Sequence, residues 1–87
     1  MATVRIPSLM RDLTNGRASV EVPGRTVRQV FEALEAAYPG VKARLIEDGM
    51  LRPDYSVAVD GETAELGLLQ PVAEHSEVII VPAISGG

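Results

Sequence analysis

The chain has 87 residues, enough for one small domain that buries only about 60–65% of its unfolded surface. Its net charge is −4 and its aromatic content is 3%. These values disfavour nucleic-acid binding, which needs a basic surface for phosphates or aromatic faces for bases. Because the chain has no cysteine, it can form no disulfide and has no thiolate nucleophile.

The charges are unevenly distributed along the sequence. Through Leu45, seven basic residues outnumber four acidic ones, whereas from Ile46 onward Arg52 stands alone against eight acidic residues. A basic partner surface could use this asymmetry for steering, and a solvated acidic face explains it equally well. The N-terminus has no signal-peptide pattern, and no stretch reaches the ~20 apolar residues needed to span a bilayer. We therefore expect a cytoplasmic protein without a membrane partner.

A β-hairpin is predicted at the start of the chain. Its first strand covers residues 3–9, with Pro7 marking an end or irregularity because proline cannot donate to a β ladder. Asn15-Gly16 is a strong turn signal. Residues 18–22 then alternate polar and apolar side chains at period two, which predicts the second strand.

One amphipathic helix follows the hairpin. Thr26 and Gln29 have the spacing of a capping box, which predicts the first turn. Pro39-Gly40 ends the helix. A single apolar stripe at helical spacing is expected to face the core: Val27, Val30, Phe31, Leu34 and Tyr38.

The second half of the chain predicts short strands. Residues 42–47 could form a further helical turn before Asp48-Gly49, and residues 55–59 alternate as a strand that ends at the Asp60-Gly61 turn. A short strand is predicted to begin at Glu62. Residues 66–69 are a loop or a brief strand, and residues 74–76 are a polar turn. Residues 78–81 form an uninterrupted β-branched run, typical of a strand covered on both faces. One good helix among these strands predicts a two-layer α+β domain.

The side chains contain no familiar catalytic or metal-binding pattern. His75 is the only histidine and has no second histidine or cysteine to share a metal, and no phosphate-binding glycine motif occurs. The remaining candidate is the terminal segment, which could reach about 20 Å beyond the last strand and ends in two residues without a Cβ: Pro82-Ala83-Ile84-Ser85-Gly86-Gly87. A terminal carboxylate is a poor electrophile, so it would need activation by another protein. A frayed end or an expression scar is the alternative.

The sequence resembles the ThiS/MoaD class of ubiquitin-like sulfur carriers, which have the β-grasp fold. The resemblance is carried by IPSLMRDLTNG, TVRQVFEALEAAYPG, SVAVDGE and EVIIVPAISGG, which look like the first strand and loop, the helix and its end, the middle strand and turn, and the last strand and tail. It implies an α+β, β-grasp domain over residues 1–82, with a mixed sheet of four to five strands and one main helix packed on one face. Residues 83–87 would be a flexible Gly-Gly tail.

The same resemblance implies the chemistry. In this family an E1-like enzyme uses MgATP to adenylate the terminal glycine, which becomes a thiocarboxylate and donates sulfur. Carried over, Gly87 supplies the reactive carboxyl group and Gly86 is its channel-fitting neighbour. The protein itself would be a co-substrate without catalysis or a bound cofactor.

The expected partners are the E1-like adenylating enzyme and a sulfur-accepting synthase. The opening, the YPG helix end and the PAISGG tail look closest to the cysteine-biosynthesis branch, which implies a cysteine synthase-like acceptor. The alternatives are a small subunit of molybdopterin synthase, acting with the large subunit, and a ubiquitin-like modifier that forms isopeptide bonds through Gly87. An adaptor domain whose tail performs no chemistry is the fourth possibility.

The last strand also predicts a docking surface. One helix covers only one face of a sheet, and successive side chains point to opposite faces. In similar carriers the residues matching Val78 and Ile80 point inward, which leaves Ile79 and Val81 outward. An exposed apolar patch beside a reactive tail is typical of a partner site, although other loops or a homodimer could cover it. The expected partner-binding residues are Ile79, Val81, Ala58, Pro82, Ala83, Ile84 and Ser85.

Overall fold

The computed structural model describes residues 1–82, which form seven strands, two α-helices and two 3₁₀ helices. In chain order these elements are β1 (Ala2–Arg5), a first 3₁₀ helix (Ser8–Thr14), β2 (Ser19–Val22), α1 (Val27–Ala37), α2 (Val41–Leu45), β3 (Ile46–Glu47), β4 (Met50–Leu51), β5 (Tyr55–Val59), β6 (Glu62–Thr63), a second 3₁₀ helix (Gly67–Leu69) and β7 (Glu77–Pro82). Among residues 1–82, no helix is long and apolar enough to cross a membrane.

Five strands form one mixed sheet in the order β2-β1-β7-β5-β6. β7 pairs in parallel with β1 and antiparallel with β5, so the last strand of the sequence lies at the centre of the sheet. β3 and β4 form a separate two-stranded ribbon. The predicted mixed sheet with one main helix is confirmed, and its topology is that of the β-grasp fold.

α1 packs on the sheet through the predicted stripe. Val27, Val30, Phe31 and Leu34 are completely buried, and Tyr38 at the helix end is half-buried. The capping prediction holds with one difference in detail. The Thr26 hydroxyl accepts the backbone N–H of Gln29 at 3.2 Å, but the Gln29 side chain accepts the N–H of Arg25, one residue before the cap.

The chain turns sharply between α1 and α2, as Pro39-Gly40 predicts. Gly40 has a φ of 104°, a conformation that favours glycine. The Glu35 carboxylate accepts the backbone N–H groups of Gly40 and Lys42, which caps the start of α2. The hydrogen bond from Lys42, followed by that from Gly40, lowers the pKa of Glu35 below its usual range.

The predicted first strand is too long. It ends at Arg5 rather than at residue 9, and residues 8–14 form a 3₁₀ helix. Pro7 cannot continue the ladder, and the following turns bury Met10 and Thr14. The Thr14 hydroxyl donates to the carbonyl of Arg17 at 3.0 Å, which fixes the return towards β2.

Three details of the second half also differ from the predictions. The further helical turn begins at Val41 and ends at Leu45, and a small hairpin, β3–β4, follows where no strands were predicted. Its turn is Asp48-Gly49, with φ values of 55° and 77°. Both central residues therefore have the positive φ of a type I′ hairpin turn. Residues 66–69 contain a 3₁₀ helix, so a strand there is wrong.

Candidate functional site

The site begins with the position of β7. This strand lies between β1 and β5 in the sheet, and its last residue, Pro82, lies opposite Tyr55. Pairing with β1 ends at Ile79, so β5 alone holds residues 80–82, where the chain leaves the sheet. The predicted site residues Ala83, Ile84, Ser85, Gly86 and Gly87 lie outside the described residues, and their roles stay predictions.

The two faces of β7 have different surroundings. Val78 and Ile80 are buried beneath α1, at 0% and 3% exposure. Ile79 is half-buried on the opposite face, where Val81 is exposed. The predicted orientation of this strand is thus confirmed, whereas complete cover on both faces is wrong.

Ala58 joins Ile79 and Val81 on the outer face of the sheet. It is the direct cross-strand partner of Ile79 and lies between the buried residues Val57 and Val59. We call Ala58, Ile79 and Val81 the outer strip. It leads along β7 to half-buried Pro82, the last residue described.

Polar side chains flank the outer strip. Arg5 pairs in register with Ile79 from β1, and Ser56 lies opposite Val81 on β5. The Arg5 guanidinium contacts the Glu77 carboxylate, with an Nε–Oε2 distance of 2.7 Å. Because this ion pair is exposed, it contributes at most about 1 kcal/mol to stability. The surface is therefore an apolar strip with polar neighbours.

A hydrogen-bond network around the buried residue Ser76 fixes the start of β7. The Asp60 carboxylate accepts the Ser76 hydroxyl at 2.6 Å and the Glu77 backbone N–H at 2.9 Å. The Ser76 oxygen in turn accepts the N–H of Ala73. The Ser76 bond first, and then the Glu77 bond, lower the pKa of Asp60 below its usual range. Sequence reasoning identified these residues only as turns and missed their contact, because sixteen positions separate Asp60 from Ser76.

The described residues provide no alternative chemical centre. His75 is exposed in the turn before β7. Within residues 1–82, no three His, Cys, Asp or Glu side chains come together in a way that could hold a metal ion.

Comparison with known proteins places the whole chain in one group. Residues 4–87 match the model of the ThiS family. A curated relative from Mycobacterium tuberculosis, "Sulfur carrier protein CysO", is 36% identical over 98% of this chain and 97% of its own. Another, "Small archaeal modifier protein 3" from Haloferax volcanii, is 38% identical over 71% of this chain and 70% of its own.

A solved structure agrees with the sequence matches. A chain in the crystal structure of the Amycolatopsis orientalis BexX/CysO complex superposes with a TM-score of 0.95 at 35% identity, over 100% of both chains. Such a match over the full length supports the ubiquitin-like β-grasp assignment made from the topology. The chain belongs to the ThiS family.

Proposed function

We propose that this protein is a sulfur carrier whose Gly87 carboxyl group is the reactive site. An E1-like enzyme joins the carboxylate to the AMP part of MgATP and releases pyrophosphate. A sulfur nucleophile then displaces AMP: a C–S bond forms, the C–O bond to AMP breaks, and a thiocarboxylate remains at Gly87. Transfer of that sulfur to an acceptor, with water supplying the oxygen, returns the carboxylate.

One observation carries the proposal: the ThiS-family match extends to residue 87, so that it includes Gly86 and Gly87. The near full-length relative named a sulfur carrier supports the same role. The fold supports it too, because β7 leads directly towards this segment from the centre of the sheet. In this scheme the protein is a substrate of its partner enzymes rather than a catalyst, and MgATP is consumed by the activating enzyme.

We assign the carrier to the cysteine-biosynthesis branch, with a cysteine synthase-like enzyme as the sulfur acceptor. Two CysO proteins match nearly the entire chain, which favours this branch over a small subunit of molybdopterin synthase working with its large subunit. The crystallised complex of a CysO with BexX supports a carrier that docks on a second protein. Because activation uses MgATP, the proposed location is the cytoplasm.

The proposal is tested with the unaltered protein. Incubated with its purified E1-like enzyme, MgATP and a sulfur source, it should gain the mass of one oxygen-to-sulfur exchange. Fragmentation of the intact protein in the mass spectrometer should place that change on Gly87. A reaction without MgATP is the control. No mass gain with an enzyme that still consumes ATP, or a gain on another residue, would rule the mechanism out.

The outer strip is the proposed docking surface beside the reactive segment. Ile79→Glu should leave the melting temperature nearly unchanged, since the side chain faces away from the core and the carboxylate can hydrate or pair with Arg5. Binding to the activating or accepting enzyme should weaken sharply, because the charge would be desolvated there without a partner. Titration calorimetry measures both affinities.

The matched control for this variant is Leu9→Glu. Leu9 is an apolar residue with 63% exposure, located in the first 3₁₀ helix rather than on the sheet face. It should bind both enzymes like the unaltered protein. If Ile79→Glu stays folded and is activated and discharged normally, the docking surface lies elsewhere.

A ubiquitin-like modifier is the second candidate, favoured by the similarity to the small archaeal modifier protein. In that case the activated Gly87 would form an isopeptide bond with a lysine amine and release AMP. A gel shift that resists reducing agents, with a C-terminal peptide of this chain joined through Gly87 to a target lysine after digestion, would favour the modifier.

A further inference from the structure

An apolar groove lies between the β3–β4 hairpin and the second 3₁₀ helix, with a volume of about 380 Å³. Leu51 and Leu68 are half-buried there and pack against the core. Met50, Leu66 and Leu69 also line the groove, and they are 68%, 61% and 70% exposed. We call these five residues the edge groove, because Leu66 also borders the surface formed by Glu62 and Thr63 of the edge strand β6.

The edge groove concentrates exposed apolar surface. Among residues 1–82, six large apolar side chains are exposed, and three of them are in this groove. The other three, Met1, Leu9 and Val81, lie on different elements. Apolar side chains that are scattered singly need no explanation, whereas a contiguous apolar patch marks an interaction site. The groove is also separate from the outer strip, which lies on β5 and β7.

One carboxylate lines the edge groove and three others lie on the elements beside it. Glu65 lines it, Glu47 is the cross-strand partner of Met50, Asp48 occupies the hairpin turn, and Glu62 lies on β6. Within residues 1–82 none of these four takes part in an ion pair, since the five ion pairs use other carboxylates. Arg52, which directly follows Leu51 of the groove, is paired with Asp54 at 3.6 Å.

This charge pattern indicates which surface fits the groove. Two copies meeting groove to groove would bring their carboxylates together, which opposes a symmetric dimer. A foreign surface with basic residues around an apolar side chain would bury the leucines and neutralise the carboxylates. The same carboxylates would accelerate its approach at low ionic strength.

A short segment of the chain joins the groove to the strand that pairs with the end of β7. β4 ends at Leu51, a short turn follows, and β5 begins at Tyr55, which lies directly opposite Pro82. A protein that takes up residues beyond 82 could therefore follow this segment to the groove.

We propose that the edge groove is a second docking site, and that its occupant is a protein that inserts an apolar side chain ringed by Arg or Lys. This inference rests on the proposed function, because it identifies that protein with one of the two enzymes acting on Gly87. The outer strip and the edge groove would then contact the partners through two separate surfaces. The edge groove supplies the salt-dependent part of the recognition.

Two variants test the apolar and the charged part of the site. Leu69→Glu should weaken binding of at least one of the two purified enzymes about tenfold or more, since its charge would be buried in an apolar contact. Glu65→Lys should weaken the binding of the same enzyme mainly at low ionic strength, where salt screens charges least. Met50→Glu should weaken binding as Leu69→Glu does, although Met50 lies on the hairpin and Leu69 on the 3₁₀ helix. Thermal unfolding checks that each variant is folded.

The controls match these variants in chemistry and exposure. Leu9→Glu places the same charge on an apolar side chain of similar exposure, and Glu74→Lys reverses an exposed carboxylate without an ion pair in the described chain. Both should bind within about twofold of the unaltered protein.

Three results would overturn the inference. Leu69→Glu and Met50→Glu could bind both enzymes with unchanged affinity, or the control variants could lose as much affinity as these two. The unaltered protein could also self-associate through a contact that Leu69→Glu abolishes. The last result would assign the groove to a second copy. Formation of the thiocarboxylate at Gly87 in the unaltered protein tests the proposed function independently. If the thiocarboxylate forms and any of these three results is also found, the docking role of the groove is refuted and the proposed function stands.

Discussion

Adding one alanine after Gly87 should abolish formation of the thiocarboxylate while the domain stays folded. The addition turns the Gly87 carboxyl group into an amide, which cannot form an acyl adenylate. It also moves the free carboxylate up to about 3.5 Å further along the chain and adds a Cβ at the last residue, where glycine has none. Mass spectrometry after incubation with the activating enzyme, MgATP and a sulfur source measures the result.

The control carries the extra alanine before Met1 instead. β1 begins at Ala2, so the addition lies outside the sheet, and loading should match that of the unaltered protein. Equal loading of the two extended proteins would contradict the terminal-carboxylate mechanism and leave the ThiS-family fold without its proposed chemistry.

Leu34→Ala should lower the free energy of unfolding by about 2–5 kcal/mol, because Leu34 is completely buried between α1 and the sheet. Small domains have a total stability of only about 5–15 kcal/mol, so this change removes a large part of it. Urea denaturation followed by far-UV circular dichroism gives the difference.

Glu32→Ala is the control on the exposed side of the same helix. Its carboxylate lies 3.5 Å from Arg28 and 3.6 Å from Lys42, and such exposed pairs contribute at most about 1 kcal/mol. A loss below about 1 kcal/mol for Leu34→Ala would mean that the helix does not pack on the sheet as described.

The elements with a clear period could be predicted from the sequence. The stripe of α1 and the alternation in residues 55–59 each repeat often enough to define a buried face, and the structure has both. The β3–β4 ribbon was not predicted, because strands of two residues contain no period, although its Asp48-Gly49 turn is a hairpin signal. The first 3₁₀ helix was missed for a different reason: Met10 and Thr14 are buried by tertiary contacts rather than by a local pattern.

The candidate site divides in the same way. Alternation together with a helix on one face predicts that every second residue of 78–81 faces outward, and the resemblance to similar carriers selects Ile79 as one of them. The edge groove combines Met50 with Leu66 and Leu69, and the Asp60–Ser76 contact joins two distant turns. Neither has a signal within one segment of sequence, because each depends on how segments far apart in the chain come together.

The central place of β7 has a consequence for how the protein is made. Thr3 pairs with Glu77 and Val4 with Val78, so the two ends of the domain must meet before the sheet is complete. Pairing between such distant segments is slow, since the entropy of closing the long loop is lost before the contacts form. On the ribosome, β1 and β5 would remain open edges until residues 77–82 emerge, and open edges invite pairing with other chains. We therefore expect substitutions in β7 to reduce the yield of folded protein in cells more than their effect on equilibrium stability would suggest.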